Sequence, residues 1–326
     1  MPSLRRAAAA LALLALALAA CGLPPPGGPA PAGTARPVAE APPPGLALHH
    51  WPARGPTRAV ILALHGFGDA GDLTFEDAAR AWTARGIAVY APDQRGFGAN
   101  PDRKRWPGDD ALIADAVALA ARVRALAPGV PLVVVGESMG GGIALAATAE
   151  GLDADALVLS GPAIAGGDAL NPFLRASGRA IATVAPDHRW TGEGVVAIRP
   201  TDNRDALRRT AADPRHFADP SSRELYGLVR LMDRAAAAAP HVTLPTLVLT
   251  GAHDEVLPPE QVATVARRIP GLVAVVDYPD GWHWLFRDRQ APRVWDDVAT
   301  FALDPAGARA IFAPVTPSEQ DPRGKR

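Results

Sequence analysis

The chain has 326 residues, a length that permits one large domain or two small ones. Its 33 basic and 34 acidic side chains nearly cancel, which excludes the basic surface typical of nucleic-acid-binding proteins. The single cysteine, Cys21, excludes an intramolecular disulfide framework and a cysteine-based zinc site. No phosphate loop of the form G-x-x-x-x-G-K-[ST] occurs. From the charge balance, the single cysteine and this missing motif together, we expect no nucleic-acid partner, no metal ion and no cofactor.

Residues 1–20 have the organisation of a secretory signal peptide. Two arginines precede 14 apolar residues (7–20), a run shorter than the roughly 20 residues that span a bilayer. Positions 18–21 read LAAC, which resembles the lipobox of bacterial lipoproteins, where the cysteine carries the lipid. The resemblance implies lipidation of Cys21 and anchoring in the bacterial cell envelope. Gly22 stands where an Asp tends to retain lipoproteins at the inner membrane, which favours the outer membrane facing the periplasm. The alternative is a plain signal peptide with an incidental cysteine.

Residues 21–45 are predicted to form a tether behind that cysteine. Between Gly22 and Gly45 there are 9 Pro and 5 Gly in 24 residues. Such a segment has too few apolar side chains to offset the entropy lost on ordering. Proline-rich chain also stays extended. We therefore expect it to hold a folded domain away from a membrane surface.

From residue 46 onward, short apolar runs alternate with longer helical patterns. The runs are uninterrupted, as in strands buried on both faces, and lie at residues 59–64, 87–91, 132–135, 156–159, 247–249 and 272–276. The helical patterns cover about 72–85, 109–127, 139–150, 259–268 and 291–303. The alternation predicts an α/β fold with a mostly parallel, doubly wound sheet, built from residues 46–162 and 244–303. In such folds the chemistry lies at the carboxyl ends of the strands.

The interval between Ser160 and Thr246 has no buried strand pattern but several helical ones. Within 224–237 the apolar residues recur at i, i+3, i+4 and i+7, which gives one apolar helix face. We expect residues 163–243 to form a helical lid, the alternative being a piece of ordinary core. The Pro-rich, polar residues 304–326 predict a disordered tail.

A candidate nucleophile follows the third apolar run. Residues 136–140 read GESMG, a G-x-S-x-G sequence between a predicted strand and a predicted helix. The serine of such an elbow sits on a strained turn at a helix N-terminus, where its hydroxyl is exposed and developing negative charge is favoured. This context predicts that Ser138 is a nucleophile rather than part of a purely structural Gly-rich turn.

Acyl transfer also needs two backbone N–H groups aimed at the oxyanion. The residue after the nucleophile, Met139, supplies the first in elbow enzymes, and the loop after the first buried strand supplies the second. That loop reads HGFGD at 65–69, and Phe67 is the expected donor. His65 precedes the serine, whereas the order in this class is Ser, acid, His, so we expect His65 to be structural.

The acid and the base are expected after two later strands. Asp254 follows the run at 247–249 and is the predicted acid, with Asp277 and Asp280 as rivals. A carboxylate there would fix the tautomer of a histidine and stabilise its imidazolium. His283, after the next run, is the predicted base, the alternative being a packed histidine of an aromatic cluster. The other histidines downstream of the elbow lie in the insertion or beside the acid.

Two further polar segments are expected to be structural. Residues 93–98 read DQRGFG, a tight polar turn whose Asp and glycines satisfy backbone needs, although it borders the site and a substrate role stays open. His49 and His50 have no partner at metal-ligand spacing and are expected at a solvated strand edge.

The chain resembles the α/β-hydrolases, in particular the monoacylglycerol lipase, lysophospholipase and serine aminopeptidase-like group. The resemblance covers about residues 46–303, and its motifs are HGFGD at 65–69, DQRGFG at 93–98, GESMG at 136–140, GAHD at 251–254, GWH at 281–283 and YGLVRLMD at 226–233. It implies an α/β-hydrolase fold, a Ser138–Asp254–His283 triad, and a helical lid over an acyl pocket, inserted between strands 6 and 7. Lipid-cleaving relatives often have HG-x-G-E-H in the first loop, where this chain has Asp69-Ala70, so the substrate stays open.

These features favour a serine hydrolase of carboxylic esters. A membrane tether and an apolar lid suggest a single-chain lipid substrate, a monoacylglycerol or a lysophospholipid. An aminopeptidase or amidase of the same fold is an alternative, but it needs an acidic anchor for the substrate ammonium, and the sequence assigns none. A catalytically silent envelope-binding lipoprotein is the alternative from another class.

Overall fold

The computed structural model describes residues 46–166, 172–191 and 198–312. The predicted signal peptide, Cys21, the tether and residues 313–326 lie outside these described residues. No helix within the described ranges is both long enough and apolar enough to cross a membrane.

A seven-stranded sheet with the order β1-β3-β2-β4-β5-β6-β7 forms the centre of the molecule. Only β1 is antiparallel to its neighbour, and every other pair is parallel. The strands are β1 Leu48–Trp51, β2 Ala59–Leu64, β3 Ile87–Pro92, β4 Leu132–Glu137, β5 Ala156–Ser160, β6 Thr246–Gly251 and β7 Leu272–Tyr278. Strands β2 to β6 are buried along their whole length, which explains their uninterrupted apolar sequences.

Helices connect the parallel strands and cover both faces of the sheet. They are α1 Gly71–Ala84, α2 Asp109–Leu126, α3 Met139–Thr148, α4 Pro172–Val184, α5 Arg204–Ala212, α6 Ser222–Ala238, α7 Pro259–Ala266, α8 Ala291–Leu303 and α9 Arg309–Phe312. Helices α1 and α8 pack on one face, and α2, α3 and α7 pack on the other. The predicted α/β-hydrolase fold with a doubly wound, mostly parallel sheet is confirmed.

The side-chain alternation of the strands divides the core into two layers. In β2, Val60, Leu62 and Leu64 face the layer with α2 and α3, whereas Ala59, Ile61 and Ala63 face the layer with α1 and α8. An apolar run without polar breaks is therefore what a strand between two helical layers requires.

The helical insertion follows the fifth strand of the described residues, not the sixth, because a single strand, β1, precedes the parallel series. Its last helix, α6, begins with a capping box at Ser221 and Glu224. The apolar face of α6 packs on α3 in the core, where Leu231 is fully buried. In the described part of the insertion, the residues that line the site cavity come instead from the turn between α5 and α6.

The segment expected to begin a disordered tail is ordered at its start. Residues 304–312 form a turn and the short helix α9, and Ala308 is fully buried. Phe312 packs against the same core layer as α8. The Pro-rich composition that motivated the prediction belongs mainly to residues beyond 312, and these nine residues still bury apolar side chains on the body.

Candidate active site

Ser138 occupies a sharp turn between β4 and α3. Its backbone φ of 52° and ψ of −115° lie outside the regions that non-glycine residues ordinarily adopt. The turn is held by the Ser138 N–H, which donates to the Ser160 carbonyl at 2.9 Å. A Cβ on Gly140 would overlap the Leu64 carbonyl, so only glycine lets α3 start this close to β2. The strained conformation therefore falls on the residue that the motif presents to the site.

His283 and Asp254 form a buried pair beside this turn. His283 Nδ1 lies 2.8 Å from Asp254 Oδ2, and both side chains are almost completely buried. The other carboxylate oxygen, Oδ1, accepts the backbone N–H groups of Val256 at 2.8 Å and Leu257 at 2.9 Å. Burial by itself would lower the pKa of His283, but the Asp254 carboxylate outweighs it and the pKa is raised.

The neighbouring backbone fits closely around the pair. Gly161, at the end of β5, has a φ of +44°, and a Cβ there would lie 3.2 Å from His283 Nδ1 and 3.3 Å from Asp254 Oδ2. The two rival acids are elsewhere, since Asp277 and Asp280 are exposed and Asp277 accepts a hydrogen bond from Thr250. Of the three predicted acids, the structure brings Asp254 to His283.

His65 is fully buried and both of its ring nitrogens contact backbone. Nδ1 lies 2.7 Å from the Gly66 carbonyl, and Nε2 accepts the Gln94 N–H at 3.0 Å. This pattern assigns the proton to Nδ1. Burial lowers the pKa of His65, which keeps the ring neutral. Its geometry is that of a loop-fixing histidine, as expected for a structural role.

The two expected oxyanion donors flank Ser138. The Met139 N–H is the first of helix α3 and has no acceptor within the helix. Phe67 lies in the loop after β2, and its ring packs edge-on against Phe97 and Phe217. Neither backbone N–H donates to another described residue, so both are available to an oxygen of a substrate.

A cavity of about 460 Å³, a volume that includes the solvent space at its open mouth, lies between Phe67, Ser138 and His283. Ser138 and His283 both line it, and no hydrogen bond joins their side chains in the described part of the chain. Catalytic hydrogen bonds are often long before substrate binds. The apolar part of the lining comes from Phe67, Phe217, Ala218, Val256 and Trp284. His216 also lines the cavity, and neither of its ring nitrogens has a hydrogen-bond partner among the described residues.

A buried ionic cluster beside Ser138 was not predicted. Arg287 donates to Asp69 Oδ2 and to Glu137 Oε1, each at 2.7 Å. Burial would raise the pKa of Asp69, but the Arg287 guanidinium holds it well below its usual range. Burial raises the pKa of Glu137, and Arg287 only partly opposes this. The available signal was a carboxylate at the variable position of the elbow and an arginine four residues after the predicted base.

The loop after His283 is also tied to the insertion. The Trp284 N–H donates to the Pro200 carbonyl and Asn203 Nδ2 donates to the Arg287 carbonyl, each at 2.8 Å. Asp288 accepts hydrogen bonds from the Thr201 hydroxyl and the Trp282 N–H. Burial nevertheless raises the pKa of Asp288 to about 7. Nothing in the local sequence indicates the contacts with the insertion, because they join segments more than 80 residues apart.

The expectation of a solvated edge at His49 was wrong. His49 Nε2 lies 2.9 Å from Asp93 Oδ1 and 3.5 Å from Asp72 Oδ1. Burial lowers the pKa of His49, but the hydrogen bond to Asp93 and the charges of both carboxylates together outweigh it, so the pKa is raised. Asp93 also accepts the N–H groups of Gly71 at 2.8 Å and Ala99 at 2.7 Å. Three residues there are close enough to share a metal ion. Because hydrogen bonds already satisfy Asp93, we interpret the cluster as a structural network that holds the loop.

Comparisons with known proteins bear on the family and the fold of the chain. The family model described as serine aminopeptidase, S33 matches residues 55–290. The chain is 29% identical to the monoacylglycerol lipase of Mycolicibacterium smegmatis, over 78% of this chain and 91% of that protein. It is 24% identical to the human monoglyceride lipase, over 64% of this chain and 69% of that protein.

Solved structures of similar fold include two further lipases. The Saccharomyces cerevisiae monoglyceride lipase, in a complex with a substrate analogue, matches 85% of this chain and 99% of its own, with a TM-score of 0.69 and 20% identity. The Paleococcus ferrophilus monoacylglycerol lipase matches 79% of this chain and 98% of its own, with a TM-score of 0.67 and 20% identity.

Proposed function

The chain belongs to the serine aminopeptidase S33 family of α/β-hydrolases, and from that premise we propose that it is a serine ester hydrolase whose substrate is a single-chain lipid. One observation carries the proposal. The strained Ser138 and His283, which is paired with the buried Asp254, line the same cavity, beside two backbone N–H groups that have no acceptor among the described residues. This is the set of groups that acyl transfer to a serine requires.

In the proposed reaction, Ser138 Oγ attacks the acyl carbon while His283 takes the hydroxyl proton. The Phe67 and Met139 N–H groups stabilise the negative oxygen of the tetrahedral intermediate. His283 then returns the proton to the departing alcohol, which leaves an ester of Ser138. Water attacks that ester with His283 again as the base, and the fatty acid is released.

In this scheme Asp254 orients His283 and stabilises the imidazolium, and the contacts of Asp254 explain both roles. Its Oδ2 accepts the Nδ1 proton of His283, so Nε2 is left free to accept the proton of Ser138. Its negative charge raises the pKa of His283 and stabilises the imidazolium that forms during attack. The two backbone N–H groups on Oδ1 hold the carboxylate in that orientation.

A single-chain lipid is the substrate class that the lining supports best. Aromatic and aliphatic side chains cover most of the cavity, and Phe217 from the insertion closes one side of it. His216 Nδ1 lies 3.8 Å from Asp69 Oδ1, and neither ring nitrogen has a hydrogen bond within the described residues, so His216 could bind a hydroxyl or headgroup in the cavity. The monoacylglycerol lipases among the relatives support an acylglycerol over other esters.

The aminopeptidase alternative has less support from the cavity. An aminopeptidase needs an unneutralised carboxylate to hold the substrate ammonium. Among the described lining residues the carboxylates are Asp69 and Glu137, and both are hydrogen-bonded to the buried cation Arg287. Arg287 balances only one of the two negative charges, but the two carboxylate side chains are 3% and 1% exposed, so an amino terminus would meet no exposed carboxylate there.

Labelling with a fluorophosphonate probe tests the catalytic assignment. We expect labelling of the native chain, none of Ser138→Ala, and full labelling of the control Ser177→Ala, whose serine lies on α4 outside the cavity lining. Labelling that survives in folded Ser138→Ala contradicts the assignment. A folded native chain that is never labelled supports instead the catalytically silent envelope-binding alternative.

Substrate class is tested by comparing three kinds of substrate at equal concentration. We expect the highest kcat/KM with monoacylglycerols or lysophospholipids and at least tenfold lower values with triacylglycerols. Aminoacyl anilides should react slowest of all. A preference for aminoacyl anilides would reverse the choice between esterase and aminopeptidase.

We also propose that Cys21 carries the lipid of a lipoprotein in the bacterial envelope, at the outer membrane and facing the periplasm. The support is the sequence LAAC at positions 18–21 and the Pro-rich segment behind it. Radiolabelled palmitate should appear in the expressed full chain and be lost in Cys21→Ala. A native chain that incorporates no palmitate contradicts this proposal and leaves the catalytic one intact.

A further inference from the structure

Arg287 is a buried cation shared by two loops of the active site. Its guanidinium donates to Asp69 from Nη1 and to Glu137 from Nη2. The three side chains are 4%, 3% and 1% exposed, so the pairing is shielded from water. The Trp284 ring lies 4.0 Å from the guanidinium centre and covers one of its faces. The planar fork of arginine suits two carboxylates, which the point charge of lysine does not.

The two loops are the ones that present the oxyanion donors. Asp69 lies two residues after Phe67, and Glu137 lies two residues before Met139. One rigid group therefore sets the separation of the two N–H groups that must converge on one oxygen. The same arginine follows His283 by four residues and so connects the base to both loops.

Stability alone is a poor explanation for this cluster. Burying three charges is expensive, and apolar replacements of similar volume often leave a protein equally stable. The cluster also retains unmatched groups, since Glu137 Oε2 and Arg287 Nε have no partner among the described residues. Oxyanion stabilisation, in contrast, depends on donor positions to within a few tenths of an ångström.

We propose that Arg287 is a positioning residue that holds the Phe67 loop and the nucleophile elbow at the separation required for the oxyanion hole. Asp69 and Glu137 are its two attachment points. This role rests on the proposed function, because it concerns the same site and the same reaction. It predicts that breaking the bridge slows attack by Ser138 without weakening the binding of a ligand in the cavity.

The test measures fluorophosphonate labelling of Ser138, with the maximal rate constant kinact separated from the binding constant KI. Arg287→Lys keeps the charge but cannot reach both carboxylates in the same geometry. We expect kinact to fall between about tenfold and about 10²-fold, with KI within about threefold. Removal of one oxyanion donor costs about 10²- to 10³-fold, and here both donors remain but are displaced. A role in stability alone would lower the urea midpoint and leave kinact unchanged.

The matched control is Arg124→Lys. Arg124 also bridges two carboxylates, Asp153 and Asp155, but it does so near the amino ends of β4 and β5, at the opposite end of the strands from the active site. We expect its kinact to stay within twofold of the native value. A similar fall in both variants would indicate a general effect of losing an arginine bridge and would overturn the positioning role.

A second pair of variants keeps the proposal testable if Arg287→Lys does not fold. Glu137→Gln retains an oxygen that can accept the hydrogen bond from Arg287, whereas Glu137→Met retains only a side chain of similar size and no acceptor of comparable strength. Positioning predicts that Glu137→Gln reacts at least tenfold faster than Glu137→Met. Equal kinact values in the two folded variants overturn the proposal.

The probe reacts with any competent serine hydrolase, whatever its natural substrate. Failure of the substrate proposal can therefore be distinguished from failure of the proposed role of Arg287. If the native chain is labelled at Ser138 but cleaves no lipid ester, the substrate proposal fails and the Arg287 comparison is unaffected. If folded native chain is not labelled, the serine mechanism fails and the role of Arg287 fails with it.

Discussion

Replacing Asp254 by asparagine exchanges one carboxylate oxygen for an amide nitrogen. The contacts around this side chain predict that the exchange also changes the tautomer of His283. The N–H groups of Val256 and Leu257 both donate to Asp254 Oδ1. In Asp254→Asn only the amide oxygen can accept those two hydrogen bonds, so the amide NH₂ must face His283. His283 Nδ1 then has to accept rather than donate, and its proton moves to Nε2. A protonated Nε2 cannot take the proton of Ser138.

The expected loss is large because the wrong tautomer removes the base without disturbing the packing. The same exchange of tautomers in serine proteases lowers kcat by about 10⁴-fold, and we expect kcat for a p-nitrophenyl ester to fall by about 10³- to 10⁴-fold here. The acidic limb of the profile of kcat/KM against pH reports the pKa of His283, since activity needs the neutral ring. Asp254 raises that pKa, so the residual activity of the variant should have its midpoint at lower pH.

Asp277→Asn is the matched control, because Asp277 is an exposed acid at the end of the next strand. We expect its kcat to stay within twofold of the native value. Retention of more than a tenth of the native kcat by Asp254→Asn would refute the tautomer reasoning. A loss of this size in Asp277→Asn, with none in Asp254→Asn, would show that the acid has been assigned to the wrong strand.

Three further expectations follow from the packing and the titration of the site. Gly161→Ala should lower kcat by about tenfold, because the new Cβ would lie 3.2 Å from His283 Nδ1 and the backbone there has a positive φ. A near-native kcat would show that the Asp254–His283 pair tolerates being displaced by this Cβ. Phe217→Ala should lower the free energy of unfolding by about 3 kcal/mol, because the ring of Phe217 is 5% exposed and packs against Phe67 and Phe97. A loss of less than about 1 kcal/mol in a urea titration would contradict this packing. The pKa of Asp288 is raised to about 7 in the folded chain, so its stabilisation is complete below the ordinary carboxyl pKa and is lost as pH rises to about 7. The urea midpoint should therefore fall between pH 4 and pH 7 by less in Asp288→Asn than in the native chain, and equal falls would contradict the shift.

The parts of the site that are local in sequence were predictable from the sequence. The elbow around Ser138 is a strand, a turn and a helix in succession, and its glycines are required by contacts within that turn and with β2. Asp254 and His283 follow adjacent parallel strands, and parallel strands bring their carboxyl ends to one edge of the sheet. Order along the chain was therefore enough to predict which residues would meet there.

Other parts depend on contacts between distant segments. Arg287 meets Asp69 across 218 residues and Glu137 across 150, and no spacing rule connects them. The sequence places His216 in the insertion and predicts no role for it, yet the turn after α5 brings it into the cavity. The apolar periodicity of α6 fits a lid or ordinary core equally well, and the packing shows that this face lies on α3.

The sequence by itself determined the α/β class, the two-layered core and the order of the reactive groups, because strand and helix periodicities and turn motifs act over a few residues. The tertiary structure decided between Asp254 and its two rivals, showed which cation binds the carboxylates of the cavity, and showed which described residues of the insertion line that cavity. Those outcomes depend on distances of 2 to 4 Å between side chains from different loops, as in the 2.7 Å contacts of Arg287. The folded arrangement sets such distances, and the pattern of any single segment does not contain them.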